Sequence, residues 1–135
     1  MHPVERLSVL LLLGEKAYEH STDKSIHVLA LANVLKRLFT LKTPPPFCAD
    51  LPPDSQQILE ILREDTFQRQ TKPLVEMRTQ EGYRIPRAFA LTKHGRSCAA
   101  HLAASIPSSV QATITNAFSQ VERLNGKPAQ KPQRR

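Results

Sequence analysis

The chain has no tryptophan, two tyrosines and five phenylalanines among 135 residues, so its core must be assembled mainly from aliphatic side chains. Its leucines and alanines are strong helix formers and favour helix over sheet. There are four glycines, none in a phosphate-cradling loop, and neither a nucleophile elbow nor a paired-carboxylate motif is present. Two cysteines, Cys48 and Cys98, are too few for a disulfide framework or a zinc-spaced thiolate set, and they fit a reducing compartment. The apolar run from Leu7 to Gly14 falls far short of the ~20 residues needed to span a bilayer. Glu15 and Lys16 follow it, where a signal peptide has small neutral residues. These absences lead us to expect a cytoplasmic protein outside the membrane, with no enzymatic activity, no metal and no cofactor.

What the chain does have is proline, eleven residues of it, and a net charge of +7. Lys127, Lys131, Arg134 and Arg135 concentrate part of that charge in the closing segment GKPAQKPQRR, which leaves the rest only mildly basic. Residues 126–135 lack an apolar anchor and are expected to form a disordered basic tail, either attracting a polyanion in a salt-sensitive way or simply aiding solubility. Residues 1–125 are of a length that suits one domain.

Taken in order, Pro3 suits the first turn of a helix whose apolar face is Val4, Leu7, Leu10, Leu11, Leu13, Ala17 and Tyr18. After the break at His20-Ser21-Thr22-Asp23, a second helix is expected from about Lys24, carrying Ile26, Leu29, Ala30, Val34 and Leu38. Residues 43–53, TPPPFCADLPP, should be extended and stiff, because consecutive prolines fix φ and remove donors. Two uses fit that segment: a spacer pinned by Phe47 and Leu51, or a proline-rich ligand for a partner's aromatic groove. Asp54 or Ser55 can cap a third helix built on Ile58, Leu59, Ile61 and Leu62. On it Asp54, Glu60, Glu64 and Asp65 outnumber Arg63, which opposes close approach to phosphates. Gln56 and Gln57 can each pair bidentately with adenine, or serve as ordinary surface residues.

From Pro73 to Leu102 the pattern changes. Leu74 to Arg78 reads as a strand, Thr79-Gln80-Glu81-Gly82 as a turn, and Tyr83 to Leu91 as a returning strand. Thr92 then caps a helix to about Ser105. Ile106-Pro107 interrupts it, and a last helix from Ser108 or Ser109 carries the stripe Val110, Ile114, Ala117, Phe118, Val121 and Leu124 up to Asn125-Gly126. His94, Cys98 and His101 share one face of the first of these helices, but about 10 Å of axis between the histidines is too far for both to bind one metal without a bend; a pair of them with a residue from elsewhere could bind zinc, and the alternative is Cys98 as a small core residue. Basic side chains gather around the hairpin: Arg69 and Lys72 before it, Arg78, Arg84 and Arg87 on it, Lys93 just after. They can hold phosphates or a narrow minor groove, or merely guard the hairpin edge.

Leu74-Val75-Glu76, a polar turn, arginines at 84 and 87, then Leu91-Thr92-x-x-Gly95-Arg96 resemble the wing and following helix of MarR-type and PadR-type bacterial regulators. Leu31-Ala32-Asn33-Val34-Leu35 also resembles the helix preceding the recognition helix in helix-turn-helix proteins. The resemblance implies a mainly α fold with a small β-hairpin, a winged helix-turn-helix, with its wing at about 74–91 and C-terminal helices over 92–125. It further implies a homodimer that binds double-stranded DNA and regulates transcription. Arg84 and Arg87 would then hold the minor groove or backbone, Arg78, Lys72, Lys93 and Arg69 the phosphates, and Gln56, Gln57 and Arg63 would face the major groove. The alternative is a non-enzymatic adaptor on the same scaffold, docking a protein partner.

Overall fold

The computed structural model describes residues 2–19, 24–68, 72–78 and 87–121. Five helices and a three-stranded antiparallel sheet make up the described part, a mainly helical fold with a hairpin. Helix α1 (Pro3–Ala17) begins with proline, and the Glu5 side chain reaches back to accept a hydrogen bond from the His2 backbone N–H at 2.8 Å. Every residue from Leu7 to Gly14 is buried. So wide an apolar surface exceeds what one neighbour can cover, and α1 packs against α3, α4, α5 and strand β3 together.

The expected second helix starts later than its apolar spacing implied. Lys24 and Ser25 belong to no helix or strand, Ile26–His27 form a short strand β1, and α2 (Val28–Phe39) begins only there. His27 is its N-cap: the ring Nδ1 accepts from the Leu29 N–H at 3.0 Å. Ile26 lies opposite Phe89 and His27 opposite Ala88 on β3 (Ala88–Leu91). The partner residues lie far along the chain, so the neighbours of Ile26 in sequence gave no sign of this pairing. Strand β2 (Val75–Arg78) pairs with the other edge of β3, from Val75 opposite Leu91 to Arg78 opposite Ala88, giving the spatial order β1-β3-β2. As the central strand, β3 is buried along its whole length.

The proline-rich connection is not extended throughout. Pro46–Cys48 turns as a 3-10 helix, Cys48 and Leu51 are buried, Phe47 packs against the core, and Arg6 holds Asp50 at 3.1 Å. It is therefore a pinned strap between α2 and α3 (Ser55–Gln68). Asp54 caps α3 by accepting from the Gln57 N–H at 3.0 Å.

Thr92 caps α4 (Lys93–Ala103): its hydroxyl accepts from the Gly95 N–H at 2.9 Å and donates to the Pro73 carbonyl at 2.6 Å. Pro107 separates α4 from α5 (Ser108–Ser119), and the Gln111 side-chain amide stitches the corner by donating to the Ala103 and Ile106 carbonyls. Of the apolar stripe, Ile114, Ala117 and Phe118 are buried, Val110 and Val121 are half-buried against the core, and Leu124 lies outside the described residues; α5 lies on α1 and α2. Tyr18 closes this end, its ring edge-on to Phe118 and its hydroxyl 3.0 Å from the Phe118 and Val121 carbonyls.

Candidate nucleic-acid interface

Arg69, Arg84, the turn 79–82 and the tail 126–135 lie outside the described residues. The candidate residues within the described part fall into three groups.

The first is at the end of the hairpin that carries its connection. Arg78 ends β2 directly across from Ala88, and Arg87 precedes that residue, so the two arginines flank the connection that contains Arg84. Arg78 is half-exposed and its Nη2 donates to Glu76 Oε1 at 2.7 Å, which offsets part of its charge. The Arg87 carbonyl accepts from the Val28 N–H at 2.9 Å, tying this end of the hairpin to the first turn of α2. Its guanidinium acts on His27, whose pKa is lowered from the ordinary histidine value, first by burial and then by the positive charge of Arg87. No sequence pattern marked His27 as part of this corner. Its role depends on β1 lying beside β3.

Lys72 and Lys93 form the second group, at the opposite end of the sheet. Val75 and Leu91 pair there, while Arg78 and Ala88 pair at the hairpin end; three residue steps of strand separate the ends by about 10 Å. Both lysines are exposed. Arg96, one turn into α4, is occupied with α1 through Glu15 at 2.9 Å.

The third group is on α3. Ile58, Leu59, Leu62 and Asp65 face inward, and at about 100° of turn per residue the outward arc runs from Arg63 and Gln56 on one flank to Gln57 and Gln68 on the other. Glu60 and Glu64 occupy its centre, and both are exposed. Gln56 and Gln57 are exposed as well but lie on opposite sides of that centre, and Arg63 sits over the Phe67 ring at 5.9 Å. The acidic residues of this helix turn out to have three different tasks. Asp54 is a cap, and Asp65 is 5 % exposed with Oδ2 accepting from the Leu74 and Val75 N–H groups at 2.9 and 3.3 Å. Glu60 and Glu64 alone present charge outward.

Among the described residues no group of three or more His, Cys, Asp or Glu side chains is placed to hold a metal ion. His94 and Cys98 do meet, with Sγ 3.6 Å from Nε2, while His101 is exposed on the next turn. Cys48 is the contrasting thiol, pushed by burial up to about 11, with Arg6 opposing the shift. No helix of the described residues is long and apolar enough to cross a membrane. The chain matches no protein-family model, and no curated protein or solved structure was found to match it.

Proposed function

We propose that this is a cytoplasmic winged-helix DNA-binding protein that regulates transcription by occupying a promoter or operator, with the hairpin supplying most of the contact. The observation that carries the reading is the antiparallel sheet β1-β3-β2, in which a strand placed between α1 and α2 closes against a hairpin that follows α3. That order supports taking residues 74–91 as a wing. Arg78 and Arg87 flank its connection and Arg84 lies in the sequence between them, an arrangement suited to phosphates along a groove edge or to a narrow minor groove. Glu60 and Glu64 at the centre of the outward α3 face disfavour deep seating of that helix on phosphates. Gln56, Gln57 and Arg63 contribute from its flanks, and Lys72, Lys93 and Arg69 add backbone contacts. The protein has no catalytic step in this reading. A homodimer is part of the proposal, with its interface outside Ile114, Ala117 and Phe118, which are buried within the molecule.

Fluorescence anisotropy of a generic duplex, measured at about 50 and 200 mM salt, tests this. Wild type is expected to bind with an affinity that falls steeply with salt. Arg84→Ala/Arg87→Ala should bind more weakly, with the log–log salt slope flatter by about 1.8, since each lost phosphate contact removes about 0.9. Absence of salt-dependent binding by wild type rules the reading out.

A second reading is a non-enzymatic adaptor, favoured by the same outward face of α3. Phe67 is 57 % exposed there, beside the two glutamates. An exposed aromatic among charges suits a protein interface better than a phosphate backbone. In that case Phe67→Ser would abolish partner capture, and the hairpin arginines would be dispensable.

A further inference from the structure

A groove of about 580 Å³ runs between the first turn of α1 and the outward side of α3. Its lining combines the apolar Pro3, Val4 and Ile61 with the exposed Glu60 and Glu64 and the buried Asp65. Among the described residues that line it, His2 alone can carry positive charge. The groove is thus an amphipathic trough of negative character in a protein whose net charge is +7.

We propose that this groove is the docking site for the chain's own C-terminal segment, Gly126–Arg135. Three observations select that occupant. The segment carries Lys127, Lys131, Arg134 and Arg135 with no acidic residue, the complement of Glu60 and Glu64. Its two prolines, Pro128 and Pro132, favour an extended backbone that a shallow trough can accept. The geometry also permits the reach. The Val121 carbonyl lies 3.0 Å from the Tyr18 hydroxyl, so the last described residue sits at the C-terminal end of α1. From there to Val4 is about 21 Å along the helix axis, while residues 122–135 can span up to about 46 Å.

Contacts between exposed charges are individually weak and are screened by salt, so docking is reversible. Its strength comes from tethering, which holds the segment near the groove at an effective concentration of about millimolar. A docked tail covers the acidic face of α3 and withholds its own charges from other partners, whether or not those partners are DNA.

The test uses the whole 135-residue chain with a nitroxide spin label at Ala129→Cys in a Cys98→Ser background; buried Cys48 stays unlabelled, and all tail charges are kept. At low salt, the amide signals of Val4, Ile61 and Glu64 are expected to lose intensity through paramagnetic broadening. They should recover in about 0.5 M salt, where screening is short-ranged, and in the surface variant Glu60→Lys/Glu64→Lys. The proposal is overturned if those amides show no broadening at low salt, or if the charge reversal leaves the broadening unchanged. It is equally overturned if broadening appears only when label and isotope are on different copies, since the occupant would then be a second molecule's tail.

Discussion

Gly95 shows how one residue can fix the meeting of two elements. A Cβ added there would lie 1.8 Å from the Leu74 carbonyl oxygen and 2.7 Å from its carbon, and backbone cannot turn aside as a side chain can. Gly95→Ala should therefore destabilise the protein by about 3 kcal/mol, overpacking outweighing the roughly 1 kcal/mol helix-propensity gain, as read by urea denaturation. At Gly14 the nearest atoms are the Ile26 Cδ1 and the Phe118 ring, which can shift, so alanine is better tolerated. His27 gives a prediction in pH. Its folded-state pKa is depressed, so the unfolded chain binds the proton more readily and stability rises with pH. The contribution is intact above the unfolded pKa of about 6.5 and is lost as pH falls through that value toward the lower folded one. Protonation also removes the Nδ1 acceptor that caps α2. Thermal melting of wild type should weaken from pH 7 to 5, and His27→Asn, a cap that does not titrate, should weaken less.

Between elements, the join of α3 to the sheet depends on a single carboxylate. Asp65 serves two backbone N–H groups at the start of β2, and an apolar substitute would leave both buried donors without that acceptor. We expect Asp65→Ala to cost about 2 kcal/mol and to speed hydrogen exchange at Leu74 and Val75 before the rest of the sheet. Uniform exchange would show that α3 and the hairpin do not separate locally. The elements also differ in how plainly the sequence announces them. Pro3, Thr92, Pro107 and the long apolar stripes mark α1, α4 and α5 because those signals act within one or two turns. Strand β1 carries no such mark: Ile26 falls three residues before Leu29, which is helical spacing, and only pairing with Phe89 and Ala88 makes the segment a strand.

At the scale of the whole molecule, α1 is the post around which the other elements are set, touching three helices and β3. Phe118 is fully buried in that arrangement, against Gly14 and edge-on to Tyr18. Phe118→Ala should lose about 3 to 5 kcal/mol, as read by urea denaturation, and leave the oligomeric state seen by size-exclusion chromatography unchanged. Conversion of a wild-type dimer to a folded monomer by Phe118→Ala would instead place the α5 stripe between subunits.

Local chemistry determined α1, α3, α4 and α5, the body of α2 but not its start, the strand character of 75–78 and 88–91 and the cap at Thr92, because periodicity and capping act over a few residues. It also disclosed the excess of acid on α3 and of base around the hairpin. Which of those charges face solvent was decided only by tertiary packing. Asp65 and Glu64 are neighbours in sequence, yet one is buried on the backbone of β2 and the other stands outward beside the α1 groove. Likewise Arg78 and Lys93 look like one basic cluster along the chain, while the antiparallel register sends them to opposite ends of the sheet. A charge acts through distance and burial, and both are properties of the folded arrangement.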